Sequence, residues 1–270
     1  MNTAAALTFE KPGFIKRLKG MLGVDFYRLF HTPLFFIFLI IAAIIPALIL
    51  SMGGEEASVM YNSTWEIIAA NGPVYVVSDI GEYANMNMVF IFGGIMVSVF
   101  IGHDYKSGYV KQLFTAHPHK LDYMLSKTLA CAFAMAGMCV AYLAGAVFAG
   151  LLTGASFQTD AASLLIAIAG KMIMSLGWAS LYTFLNIIFR RYFGISIASS
   201  FFFGTGIPII AAAAVLGNRQ LLNIFLYGAS VSACLTASPA ILLTCIAVSL
   251  GWAVIYNLLG TLVLSRCDVY

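Results

Sequence analysis

Six long apolar runs constrain the fold of this chain more than any other feature. They cover residues 34–52, 85–101, 128–153, 161–189, 193–216 and 240–264. A helix that crosses a hydrocarbon layer about 30 Å thick needs about 17–25 apolar residues, so each run is long enough. Charged residues make up 9% of the chain, against about 25% in an average soluble domain, and the mean hydropathy is +0.95. The sequence therefore predicts an all-α integral membrane protein with six transmembrane helices.

The first 32 residues form a basic segment ahead of a single six-span domain at 33–270. Apolar side chains recur in this segment at helical spacing, namely Phe14, Leu18, Leu22, Phe26 and Leu29. Such a stripe predicts a helix that lies in the membrane interface with its cations toward the lipid headgroups. A solvated tail beside the membrane is the alternative.

The distribution of Lys and Arg predicts the orientation of the chain. Of the 14, five lie in residues 1–32, four in 102–127, two in 190–192 and one in 265–270. The remaining two are Arg219 and Lys171. Because basic loops are retained on the cytoplasmic side, both termini are predicted to be cytoplasmic. We expect a multi-pass protein of a bacterial cell membrane.

Two segments are predicted to lie at the outer face. The loop at 53–84 carries carboxylates and no Lys or Arg, so it either attracts cationic substrates or forms a solvated cap. Residues 217–239 are apolar but broken by Gly, Ser and Thr, and they are too short for two full spans. They are predicted to form short re-entrant or interface-lying helices before the last span.

Residues 102–127 form the longest polar interruption on the basic side of the chain. A compact polar run at 104–109 is followed by Val110, Leu113 and Phe114 at helical spacing. This pattern predicts a short amphipathic helix across the cytoplasmic face, where a soluble partner could dock. An ordinary turn between two helices is the alternative, although most such connections are only a few residues long.

This layout resembles the permease subunits of ABC transporter type 2 exporters. At the level of residues, the resemblance rests on the run Asp104-Tyr105-Lys106-Ser107-Gly108, the basic residues after it, and Leu125-Ser126-Lys127 at the start of the third span. The family often has Glu, and a Gly-Thr pair, where this chain has Asp104 and Gly108-Tyr109. The resemblance implies a separate ATPase subunit that binds ATP and Mg, and a second permease copy, identical or related, with the substrate passing between the two copies.

On the same resemblance, closure of the ATPase subunits pushes on residues 103–120 and on the N-terminal helix. The residues assigned to this coupling are Asp104, Tyr105, Lys106, Gly108, Tyr109, Lys16 and Arg17. The implied function is export of an amphipathic peptide or a lipid-like compound. The rival hypothesis is a non-transporting immunity or sensor subunit that binds a peptide at the outer face.

Motifs for catalysis are missing from the sequence. The chain has no G-x-x-x-x-G-K-[ST] loop, because Gly170-Lys171 is followed by Met172, and it has neither H-E-x-x-H nor G-x-S-x-G. We therefore expect no enzyme activity, no catalytic residue, no metal site and no cofactor in this chain, and no nucleic-acid partner. Intramembrane carboxylate pairs are not expected either, which disfavours a secondary transporter.

Two features within the predicted spans predict further roles. Lys171 lies inside the fourth run, where a charge costs about 2.5–3.5 kcal/mol on insertion. It is predicted to face the transport pathway or the dimer interface, or else to snorkel to the outer surface. In the fifth run, Gly204, Gly206 and Pro208 predict a bend that is either a moving hinge or a tolerated kink.

Overall fold

The computed structural model describes residues 13–46, 88–116, 119–152, 161–217, 219–235 and 239–266. These residues form ten α-helices and one 3-10 helix, Arg219–Ile224, with no strand among them, so the all-α prediction is confirmed for this part of the chain. In chain order the helices are α1 Phe14–His31, α2 Pro33–Pro46, α3 Met88–Lys106, α4 Tyr109–Ala116, α5 Lys120–Leu152, α6 Ala161–Ile188, α7 Phe193–Gly204, α8 Ile207–Leu216, α9 Leu226–Leu235 and α10 Pro239–Arg266.

Several of these helices suit a membrane. Within the described residues, α3, α5 and α10 are each long and apolar enough to cross one, and the count rises to five if α1 with α2 and α7 with α8 each form one bent span. The apolar helices thus support a membrane protein with several spans. The count of six spans stays a prediction. The acidic segment at 53–84, which is predicted to lie at the outer face, is outside the described residues.

The chain bends by 65° between α1 and α2. Pro33 causes the break, because it lacks an N–H and disfavours helical geometry in the residue before it. Thr32 accordingly has extended backbone angles, φ −99° and ψ 125°. The bend turns α1 away from the direction of α2. Its place in the membrane interface stays a prediction.

A second bend, of 52°, separates α7 from α8 at the predicted position. Gly204 ends α7, and Gly206 takes a left-handed conformation with φ +72°. A Cβ on Gly206 would lie 2.3 Å from the ring of Tyr227, so this position excludes a side chain on grounds of space as well as backbone geometry. Pro208 follows at the start of α8, where its missing N–H does not interrupt the helix. Movement about this bend stays a prediction.

The core is built around α6, which packs against α3, α5, α9 and α10. The rings of Phe90, Trp178 and Tyr182 are stacked in sequence, with centroid separations of 5.5 Å and 5.6 Å. Close approaches between elements need glycine at several contacts, of which those of Gly94 and Gly145 are examples. A Cβ on Gly94 would lie 2.8 Å from the ring of Tyr182, and one on Gly145 would lie 2.0 Å from the carbonyl oxygen of Ala43.

The predicted short amphipathic helix is present as α4. Gly108, with φ +73°, makes the turn that joins it to α3. Val110 is buried and its neighbours Leu113 and Phe114 pack beside it. The surrounding apolar cluster comes from five other helices and consists of Met21 of α1, Tyr105 of α3, Tyr123 and Met124 of α5, Ile187 of α6, and Val263 and Leu264 of α10. The apolar face of α4 therefore covers the protein rather than solvent or lipid.

Candidate functional site

Three helices meet in a group of buried charges that we call the inner ionic cluster: Asp25 and Arg28 of α1, Asp104 of α3, and Ser126 and Lys127 of α5. Lys127 lies at its centre. Its Nζ atom is 2.6 Å from Oδ1 of Asp25 and 2.5 Å from Oδ2 of Asp104. The side chains of Lys127 and Asp104 have no exposed surface, and that of Asp25 is 3% exposed. One ammonium group thus joins carboxylates from two different helices.

Each of the other two members adds a hydrogen bond to one of the carboxylates. Arg28 donates from Nη2 to Oδ1 of Asp104. Ser126 donates from its hydroxyl to Oδ2 of Asp25, at 2.5 Å. With two carboxylates and two cations the cluster carries no net formal charge. Buried charges are tolerated on this condition, that each is paired and hydrogen-bonded.

Helical spacing explains why α1 contributes two members. Asp25 lies three residues after Leu22 and four before Leu29, so it shares their face of the helix. Asp25 and Leu29 are the buried residues of α1. Arg28, three residues after Asp25, also points toward this face and is partly buried. The acid therefore interrupts the apolar stripe at the point where α1 contacts α3 and α5.

Aromatic rings enclose the two cations. The Nζ atom of Lys127 lies 4.7 Å from the ring centroid of Phe100 and 5.6 Å from those of Tyr109 and Tyr123. The guanidinium carbon of Arg28 lies 4.3 Å from the centroid of Tyr109. Burial raises the pKa of Tyr109, although the nearby charge of Lys127 opposes this. Tyr109 is therefore a neutral phenol at physiological pH and offers its ring face to the cations.

A separate ion pair joins α1 to the start of α5. The Nε atom of Arg17 is 2.8 Å from Oδ2 of Asp122, and the Arg17 side chain is 19% exposed. Two cations of the N-terminal segment, Arg17 and Arg28, thus bind carboxylates of this chain instead of pointing toward lipid headgroups as predicted. Lys16 and Lys19 remain exposed.

The predicted coupling residues fall into two groups. Asp104, Tyr105, Tyr109 and Arg17 are buried or partly buried, and Gly108 forms the turn before α4. Lys106 and Lys16 have exposed side chains. Asp104 has no exposed surface, so it cannot touch a partner itself. Its ion pairs with Arg28 and Lys127 fix the end of α3, which carries Lys106.

Lys171 lies apart from this cluster. It is fully buried in α6, and its Nζ atom is 5.3 Å from the ring centroid of Phe90 at the start of α3. Asp104 is at the other end of α3, about 21 Å further along the helix axis. A pathway or interface role for Lys171 stays a prediction, as does a hinge role for Gly204, Gly206 and Pro208.

A second buried polar group, which we call the deep polar network, joins α3, α6 and α7. It consists of Ser98, Asn186, Ser196 and Ser200. The amide nitrogen of Asn186 donates to the hydroxyl of Ser98 at 3.1 Å, and the hydroxyl of Ser98 donates to that of Ser200 at 2.9 Å. Ser196 donates to the amide oxygen of Asn186. These groups are neutral and form hydrogen bonds only.

Sequence reasoning missed Asp25 and treated Ser126 and Lys127 solely as part of a family motif. The available signal was an acid on the apolar face of an amphipathic helix, because such a position demands a buried partner. Among the described residues, no group of three or more His, Cys, Asp or Glu side chains could hold a metal ion. The chain matches no protein-family model and no curated protein.

Proposed function

We propose that this chain is the membrane-spanning permease subunit of an ATP-driven ABC exporter. It moves an amphipathic peptide or a lipid-like compound, and a separate cytoplasmic ATPase supplies the force. The observation that carries the proposal is the inner ionic cluster, which ties α1, α3 and α5 together directly behind α4. A subunit driven from outside needs such a rigid connection between its docking element and its spans.

The connection begins at α4. Its apolar face is fixed against the inner ends of α1, α5, α6 and α10, while Lys111, Gln112 and Thr115 are exposed. The short turn at Gly108 links α4 to the end of α3, where Asp104 is held by Arg28 and Lys127. A push on α4 therefore acts on Asp104.

The cluster then passes the displacement to two more helices. Separating Asp104 from Lys127 would break a buried ion pair, and breaking such a pair costs about 3–5 kcal/mol. Moving α1, α3 and α5 together avoids this cost. The inner ends of these helices are therefore expected to move as one body, as in rigid-body switching of domains.

A cross-linking experiment tests the proposal. The full chain with Gln112→Cys, made in a background where Cys234 and Cys267 are Ser, is purified with its associated proteins in mild detergent. We expect a disulfide or maleimide cross-link to a protein that contains a G-x-x-x-x-G-K-[ST] loop and hydrolyses ATP. Val215→Cys is the matched control, because it is 87% exposed but lies on α8.

Two results would contradict the proposal. One is ATP hydrolysis by the purified chain alone. The other is labelling of Gln112→Cys in intact cells by a maleimide that does not cross membranes, because α4 would then face the outside.

A further inference from the structure

The apolar stripe of α1 lies against the protein over the C-terminal half of the helix. Leu29 is buried, and Phe26 packs against the same core cluster. Asp25 lies on this face as well and is buried in its ion pair with Lys127. Any contact of α1 with lipid is therefore made by the opposite face of the helix, and not by the stripe from which the contact was predicted.

The opposite face of α1, which we call the outward face, carries charge of one sign. Its exposed residues include Lys16, Lys19, Gly20, Gly23, Val24 and Tyr27. The arginines of α1, Arg17 and Arg28, are bound to carboxylates of this chain. The single acid of the helix, Asp25, is buried on the other side, so α1 has no acid that offsets the two lysines of the outward face. Such a face attracts anionic groups.

The outward face also exposes apolar and aromatic surface beside the lysines. The side chains of Tyr27 and Val24 are 63% and 45% exposed. Gly20 and Gly23 lie between them and the lysines along the helix, and a Cβ on either glycine would meet no atom within 4 Å. The surface is therefore open along this part of α1. Lysines next to exposed aromatic side chains are typical of helices at the headgroup level of a membrane.

We infer that the outward face of α1 binds anionic phospholipid headgroups. The chain itself holds this face beside the membrane, because α1 ends at His31 and Pro33 begins α2 within the first apolar run. Lysines near a membrane surface attract the phosphates of anionic lipids, and exposed aromatic rings favour the headgroup region over water. An acidic soluble protein would match the lysines but would leave the exposed side chains of Val24 and Tyr27 without a suitable partner.

Binding on the outward face acts on the inner ionic cluster, because one helix carries both. The ion pairs of Arg17, Asp25 and Arg28 join α1 to α5 and α3. A ligand that binds α1 in this docked position stabilises the whole arrangement by mass action. Anionic lipid should therefore raise the thermal stability of the chain, and the lipid composition would regulate how firmly α1 holds α3 and α5.

A lipid titration tests the inference. The purified full chain is heated in detergent micelles with increasing phosphatidylglycerol, and size-exclusion recovery gives the unfolding midpoint. We expect phosphatidylglycerol to raise the midpoint more than phosphatidylcholine does, and the rise to shrink at high salt. With Lys16→Gln and Lys19→Gln combined, half of the effect should need about thirtyfold more phosphatidylglycerol, since each lysine near an anionic surface contributes about a factor of five.

The matched control combines Arg191→Gln with Arg266→Gln, which removes the same charge from exposed positions on other elements. This variant should respond to phosphatidylglycerol as the unaltered chain does. An equal loss of response in the two double variants would show general charge attraction and would overturn the assignment to α1. Equal effects of the two lipids on the unaltered chain would overturn the preference for anionic headgroups.

A fluorophore on the outward face separates lipid from protein as its occupant. Gly20→Cys, made in the background where Cys234 and Cys267 are Ser, is labelled and reconstituted in vesicles that contain headgroup spin-labelled phosphatidylglycerol. We expect strong quenching, and less with phosphatidylcholine that carries the same label. Absence of quenching, or a cross-link from Gly20→Cys to a co-purified ATPase, would overturn the inference. Neither the heating assay nor the quenching assay contains an ATPase, so a failure there leaves the proposed function standing.

Discussion

The inner ionic cluster and the deep polar network hold helices together with different kinds of polar contact. Both join three helices through buried polar side chains. The first uses full charges, with Lys127 shared between Asp25 and Asp104. The second uses an amide and hydroxyls along α3, α6 and α7. An orphaned charge is far more costly in an apolar medium than an orphaned hydroxyl. Replacing one member should therefore cause a large loss of stability in the inner ionic cluster and a small loss in the deep polar network.

The largest predicted effect comes from Lys127→Met. This change leaves the buried carboxylate of Asp25 without its cation and leaves Asp104 with Arg28 alone. Breaking a buried pair costs about 3–5 kcal/mol, so we expect a large drop in thermal stability in detergent. The measurement is the unfolding midpoint from size-exclusion recovery after heating.

Two further variants sharpen this test. Lys106→Met removes an exposed lysine and should leave the midpoint nearly unchanged. Asp25→Asn in the Lys127→Met background removes an orphaned charge and should recover part of the lost stability. Equal midpoints for Lys127→Met and Lys106→Met would mean that the cluster does not hold the helices together.

Much of this fold followed from local signals in the sequence. Apolar runs longer than 17 residues have few alternatives to helices, so the helical segments were predicted close to where the structure has them. The bend at Gly206 and Pro208 was also predictable, because both residues act on the backbone of their own segment. The spacing of Val110, Leu113 and Phe114 predicted the short helix α4.

The candidate site was harder to predict because its contacts are distant in sequence. Asp25 and Lys127 are 102 positions apart, and the sequence around either residue does not predict that the two form an ion pair. Asp104 was expected at a docking surface, but it lies in the interior. A buried acid and an exposed acid look alike in a polar loop sequence, and tertiary packing decides between them.

Replacing Asn186 with Leu should have an intermediate effect. The amide of Asn186 bonds Ser98, Ser196 and the carbonyl oxygen of Tyr182. Hydrogen bonds between membrane helices contribute about 0.6 kcal/mol each on average, so the loss should be about 1–2 kcal/mol. The same heating assay measures it. A fall as large as that of Lys127→Met would show that the neutral network is as cooperative as the ionic cluster.

Ser200→Ala should have the smallest effect of the three. The hydroxyl of Ser98 loses its acceptor on Ser200, but it has a second one at 3.5 Å in the carbonyl oxygen of Ser196 and still accepts from Asn186. We expect a loss of no more than about 0.6 kcal/mol, since one hydrogen bond is exchanged for another. Ser98→Ala together with Ser200→Ala should then cost less than Asn186→Leu. A larger loss from Ser200→Ala alone would mean that the carbonyl oxygen of Ser196 does not take over as acceptor for Ser98. The deep polar network would then be as sensitive to a single replacement as the inner ionic cluster.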